Sequence, residues 1–205
     1  MQKNNHPQKG CGTNREITGC QFSLSVMSDN YVDLILSSLK NVDTTKVWSA
    51  TDLLSTTYRG KRIHVVDTLK GVFTTINDEK THITLEATFS KGCPCDIDGD
   101  SVFSEAETLP TKNDAKFLVH SKIAFYPMGI TDYMEHITKV INMAKKRNIY
   151  KASSHYASEL EGDVNDIFDY FDDVLDYAEK NIAHYVLQAT LSVNSPSLKG
   201  GYRNV

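Results

Sequence analysis

The chain has 205 residues, 40% of them apolar and 23% charged, which suits one large domain or two small ones with a sizeable core and excludes a disordered or fibrous class. A net charge of −4 excludes a general phosphate-binding surface, so no nucleic-acid partner is expected. The apolar runs are too short to cross a bilayer, and "MQKNNHPQKGCGTNRE" has no apolar core of a secretory signal. A cytoplasmic location is the default expectation, with Cys11, Cys20, Cys93 and Cys95 mostly free thiols.

Residues 1–19 read as a flexible, polar lead-in. The alternation in "CQFSLSVM" predicts a strand with Phe22, Leu24 and Val26 on one face. Ser28, Asp29 and Asn30 offer N-caps for a helix striped by Tyr31, Leu34, Ile35 and Leu39. "KVWSATDLLSTTYRG" predicts two short strands around a turn, closed by Gly60. From Ile63 to Ile76 the apolar spacing is helical, and residues 81–90 form a strand with Ile83, Leu85, Ala87 and Phe89 facing the core. After a Gly/Pro/Asp/Lys-rich stretch the order restarts: the strand "SKIAFYPM", a helix from Tyr133, the pair "IYKASSHYASELEG", a helix striped by Val164 to Ala178, and a strand over 183–192.

The restart is a repeat. "THITLEATFSKGCP" (81–94) and "AHYVLQATLSVNSP" (183–196) share His, Ala-Thr, Ser and Pro at matched places. Tyr31–Pro94 aligns without a gap on Tyr133–Pro196, with Tyr31/Tyr133, Gly60/Gly162, His82/His184 and Pro94/Pro196 among the identities. Continuous register with matching periodicity in every element points to duplication. The fold class expected is α+β: two tandem ferredoxin-like βαββαβ repeats, each an antiparallel sheet with helices on one face. The boundaries expected are a lead-in at 1–19, repeats at 20–94 and 121–198, a connector at 95–120 and a tail at 199–205. The sheet's other face and edges need cover, which a sister repeat or a second chain would supply, and a homodimer is expected.

No nucleophile elbow, His-Glu-x-x-His or phosphate-cradling glycine loop occurs, and no cofactor is expected. The C-x-C of Cys93 and Cys95 lacks the second pair a structural zinc site uses. Asp96, Asp98 and Asp100 take calcium-loop positions, with Ser104 and Glu107 at later ones, but Ser101 stands where that loop needs glycine. A solvated acidic turn fits as well, and no metal is assigned. His82 and His184 fall on the polar strand face as hydrogen-bonding or interface residues. The Asp run from Asp163 to Asp176 has helical spacing and reads as a solvated face. The hairpins mix aromatics, short hydroxyls and a carboxylate, which suits a flat heteroaromatic ligand and equally suits rings in the core with hydroxyls pairing strands.

"CGTNREITGCQFSL", "VWSATDLLSTTYRG", "ATFSKGCPCDIDGD", "FYPM", "HYASELEGD" and "LSVNSPS", in order from Cys11 to Ser197, resemble the YkoF-type thiamine/hydroxymethylpyrimidine-binding proteins. The resemblance implies a dimeric tandem ferredoxin-like protein related to ACT-type ligand-binding domains. It also implies a pocket in each repeat for the pyrimidine half of thiamine, and a non-catalytic role in precursor salvage beside a membrane uptake system. An aminopyrimidine edge is read by a carboxylate, hydroxyls and backbone groups, and its flat ring by an aromatic or Met wall. On these motifs the site in repeat 1 is expected from Met27, Trp48, Thr51, Asp52 and Ser55. That in repeat 2 is expected from Tyr126, Met128, Tyr150, Tyr156, Ser158 and Glu159. Repeat 1 departs from the pattern, having Ser25 and Val26 in "LSVM" where repeat 2 has Tyr126 and Pro127 in "FYPM". Asp52 also aligns with Ser154, so the two sites differ chemically. The expected function is binding of thiamine or its hydroxymethylpyrimidine moiety. The alternatives are a regulatory module docking on a transporter component and a small pyrimidine-processing enzyme.

Overall fold

A computed structural model of the chain describes residues 17–91 and 114–198. Repeat 1 comprises β1 (Ile17–Val26), α1 (Tyr31–Lys40), β2 (Trp48–Thr51), β3 (Thr56–Lys61), α2 (Arg62–Ile76) and β4 (Ile83–Lys91). Repeat 2 comprises β5 (Leu118–Met128), α3 (Tyr133–Lys146), β6 (Tyr150–Ser154), β7 (Ala157–Asp163), α4 (Val164–Asn181) and β8 (His184–Val193), with a 3-10 turn at Pro196–Leu198. Both are the expected ferredoxin-like βαββαβ unit. β1 starts at Ile17 rather than Cys20, and β5 at Leu118 rather than Ser121. Thr18, in phase with Cys20 and Phe22, and Val119, in phase with Ile123 and Phe125, extend the buried alternation at these ends. Asn30 stands at the N-terminus of α1 without a side-chain cap; instead the Ser28 carbonyl accepts from Tyr31 N at 3.2 Å.

The two units share one eight-stranded sheet in the order β2-β3-β1-β4-β8-β5-β7-β6. β4 and β8, each the outer strand of its own repeat, pair antiparallel with Ala87 opposite Ala189 at the centre of the register. Since these alanines occupy the same place in the two repeats, the units are related by a local two-fold at that pair. The core lies on one face, where Ile83, Leu85 and Phe89 meet Tyr185, Leu187 and Leu191 beneath α2 and α4. The opposite face carries Gln21, Ser23, Glu86, Thr88, Gln188, Thr190 and Lys122, alternating with the core residues along the strands.

Sheet register shows where the repeats slip. Val26 pairs with Ile83 and Pro127 with Tyr185, so Val26 corresponds to Pro127, one residue short of the spacing from Tyr31 onward. The extra residue lies between Met128 and Tyr133, where Gly129 takes φ +73°, a left-handed turn open to glycine.

The glycine shared by β3 and β7 has a steric cause. A Cβ on Gly162 would lie 2.7 Å from Ile149 Cγ2, and one on Gly60 would lie 3.3 Å from the Lys46 carbonyl. The chain entering each outer strand crosses there, leaving no room for a side chain. Both strands then run straight into helices, and the Asp163 carboxylate caps α4 by accepting from Asn165 N at 2.9 Å.

The Asp run on α4 is not simply solvated, contrary to the sequence reading. Arg62, at the start of α2, pairs with Asp172, with Asp176 at 3.2 Å and with Glu179 at 3.3 Å. Glu179 also accepts from Thr18 Oγ1 at 2.7 Å, and its carbonyl accepts from Lys91 Nζ at 3.0 Å. Arg147 holds Asp173 at 2.6 Å. These acids tie α4 to α2, to the one end of the β1–β4 ladder where Thr18 faces Lys91, and to α3. Burial pushes the Glu179 carboxyl above its usual range, opposed by Thr18 and Arg62.

Two outcomes follow. Gly162→Ala, which must displace the buried, stiff Ile149, lowers unfolding free energy by about 1–3 kcal/mol in chemical denaturation. Arg62→Ala lowers it by about 2–4 kcal/mol at neutral pH, because three carboxylates lose their cation in a partly buried site. A carboxyl whose folded pKa is raised weakens the fold as pH rises through that value. The Arg62→Ala loss therefore shrinks as pH falls from neutral through the Glu179 titration, because a neutral carboxyl no longer needs the lost cation.

Candidate functional site

At the C-terminal end of β5 the sheet opens into a cleft of about 560 Å³. Phe125, Tyr126, Pro127 and Met128 of β5 form one wall, Tyr133 and Ile137 of α3 another, and Val186 and Gln188 of β8 complete it. Tyr126, Met128 and Tyr133 are 46%, 43% and 49% exposed, unusual for large apolar side chains. The sheet register explains the assembly, since Tyr126 faces Val186 across the β5–β8 ladder and Ala124 faces Gln188. The cleft is a ring-bearing, methionine-edged surface with one neutral amide.

The structure brings two of the six expected repeat 2 residues, Tyr126 and Met128, into this cleft. The other four lie elsewhere in the repeat. Tyr150 packs on the core edge and shares a hydrogen bond with Ser153 Oγ at 2.9 Å. Tyr156, at the β6–β7 tip, has φ +64° and is 98% exposed. Ser158 is buried on the core face opposite Ile123, whereas Glu159 lies on the open face, paired with Lys122 at 3.3 Å. Tyr133, Ile137, Val186 and Gln188 were not expected at a site. The motif "FYPM" located the cleft, but a stripe residue such as Tyr133 looks in sequence like any core residue.

In repeat 1, Thr51, Asp52 and Ser55 lie at the β2–β3 turn, Met27 just past the end of β1, and Trp48 at the opposite end of the β2–β3 hairpin. Asp52 Oδ1 accepts from Leu54 N at 2.8 Å and Ser55 N at 2.9 Å, closing the hairpin. Those amides, with the Ser55 hydroxyl, hold the Asp52 carboxyl below its usual range. The Ser55 hydroxyl also accepts from Gln21 Nε2 at 2.9 Å, and Thr51 and Thr56 hydroxyls meet at 3.0 Å. Met27 is exposed at the end of β1, its N–H donating to the His82 carbonyl. Trp48 lies on the open face opposite Arg59.

Trp48 and Tyr150 match in the repeat alignment yet point to opposite faces. Trp48 pairs with Arg59, but a bulge between Tyr150 and Ala152 places Tyr150 opposite the buried Leu160. One inserted residue reverses the side-chain alternation, which explains why matched aromatics do not make matched sites.

Among the described residues no group of three or more His, Cys, Asp or Glu side chains could hold a metal ion. Cys20 is a buried free thiol, pushed up by burial; Cys11, the C-x-C pair and the acidic loop at 96–107 lie outside the described residues. His82 Nε2 contacts Ser192 Oγ at 3.0 Å across the β4–β8 junction. No described helix is long and apolar enough to cross a membrane.

Two ferredoxin-like units joined through their edge strands, with an aromatic cleft on the second, define a duplicated class of α+β protein. Within that class the chain belongs to the YKOF-related Family, whose model matches it twice, over residues 17–96 and 118–198. A curated relative from Bacillus subtilis (strain 168), described as "Putative HMP/thiamine-binding protein YkoF", is 38% identical over 192 residues, covering 92% of this chain and 96% of the relative.

Since Asp52 closes its own turn, Asp52→Ala speeds amide hydrogen exchange at Leu54 and Ser55. In the unmodified protein the same amides lose protection as pH falls through the Asp52 titration, because a carboxyl with a lowered folded pKa stabilises only while ionised.

Proposed function

We propose that this protein binds thiamine or its hydroxymethylpyrimidine moiety without turning it over, with up to one site per repeat, and serves precursor uptake or salvage in the cytoplasm. The observation that carries this reading is the cleft of Tyr126, Pro127, Met128 and Tyr133 beside the Gln188 amide. Its volume falls within the roughly 300–1,000 Å³ of ligand pockets. Exposed rings and a thioether suit a flat heterocycle, and an amide offers one donor and one acceptor to an aminopyrimidine edge. The relative named for binding HMP/thiamine is similar along nearly its whole length, which supports the same ligand class here.

The expected hairpin residues retain supporting parts in this reading. Asp52 and Ser55 shape the repeat 1 rim, and Glu159 with Lys122 shapes the open face beside the second site. That face spans eight strands, and Leu53 and Leu54 stand fully exposed at a hairpin tip. A homodimer covering the face would remove both from water. A transporter component contacting the same tip is the competing occupant, favoured by the same two leucines.

Isothermal titration of the full chain with thiamine and with hydroxymethylpyrimidine gives heat with at least one of them, whereas absence of heat with both, in protein shown to be folded, ends the reading. Tyr126→Ala weakens one binding step roughly tenfold through the lost stacking surface. Light scattering gives the mass of two chains if the homodimer forms and of one chain if it does not.

A further inference from the structure

The local two-fold allows the cleft to be compared position by position with its counterpart in repeat 1. Part of the frame is retained: Met27 stands for Met128, Tyr31 for Tyr133 and Ile35 for Ile137, and both methionines and both tyrosines are exposed. The wall on the open sheet face is not. Tyr126 and its cross-strand neighbour Val186 become Ser25 and Thr84, and Ala124 and Gln188 become Ser23 and Glu86. Hydroxyls thus replace a ring and an apolar branch, and a carboxylate replaces the neutral amide.

Glu86 is available to a ligand in a way the other acids nearby are not. Its cross-strand neighbours are Ser23 and Thr190, which carry no charge, and it is exposed. It joins no ion pair among the described residues. Asp52, on the same half of the sheet, is already satisfied by its own turn. Glu159, on the other half, already has Lys122. An acid and a neutral amide of nearly equal shape at one position differ in little but charge, so the substitution selects among ligands by charge.

We propose that Glu86 is a specificity-determining residue: repeat 1 takes a cationic nitrogen heterocycle through it, while repeat 2, with Gln188, Tyr126 and Val186, takes the neutral aminopyrimidine. The assignment rests on the binding role proposed above and adds the ligand charge preferred by each site. It also accounts for the retained Met and Tyr, which give both sites a surface for a flat ring, beside a wall that changes from ring to hydroxyl.

The test compares thiamine, a permanent cation, with neutral hydroxymethylpyrimidine by titration of the full chain at low salt. The proteins are the unmodified chain, Glu86→Gln and Gln188→Glu, each checked for folding by near-ultraviolet circular dichroism. Glu86→Gln weakens thiamine in one step by roughly fivefold, the effect of one partly solvated charge pair, and leaves hydroxymethylpyrimidine unchanged. The difference shrinks at high salt. Gln188→Glu strengthens thiamine in the other step. Binding by the unmodified chain with thiamine unaffected in Glu86→Gln, or with both ligands weakened equally, overturns the Glu86 assignment alone. No heat with either ligand in the unmodified chain overturns the binding role and the assignment together.

Discussion

The architecture hangs on the hydrogen bonding of β4 to β8. A single βαββαβ unit exposes that strand as a free edge, with unpaired N–H and C=O groups and half of its apolar side chains at the border of the core. Pairing the two copies satisfies both edges at once and closes a continuous core in which Phe89 and Leu187, or Leu85 and Leu191, are direct neighbours. It also brings α2 against α4, which allows Arg62 of one repeat to meet the carboxylates of the other.

The antiparallel sense of that junction governs the placement of the sites. Because the units are related by a two-fold at Ala87 and Ala189, the ends of β1 and β5 lie at opposite ends of the sheet. The two candidate sites are thus separated, and each could diverge without disturbing its twin. The repeats kept what geometry demands: glycine where Ile149 and the Lys46 carbonyl approach, and alanine where the central strands meet. They changed the open-face wall, where no packing partner among the described residues constrains the choice.

Some of this was legible from residue order because it depends on short-range periodicity. The alternation in β4 and β8, the apolar stripes of α2 and α4 and the constant spacing between copies identify the elements, the duplication and the α+β class. The motif around Tyr126 and Met128 was legible too, since the two copies visibly differ there. The remainder of the cleft was not. Val186 and Gln188 lie some sixty residues from Tyr126 in the chain and reach it only through the β5–β8 register.

What the sequence by itself determined is therefore the pair of units and the chemical contrast between them, since both follow from patterns read along the chain. Tertiary structure alone decided which residues share a surface. A single bulge after Tyr150 turns that ring to the core while its counterpart Trp48 faces out, and the charges of α4 find their partner only when the two edges meet. Register across strands is a long-range property: it depends on which backbone groups pair, and identical local patterns are compatible with either face until the sheet is assembled.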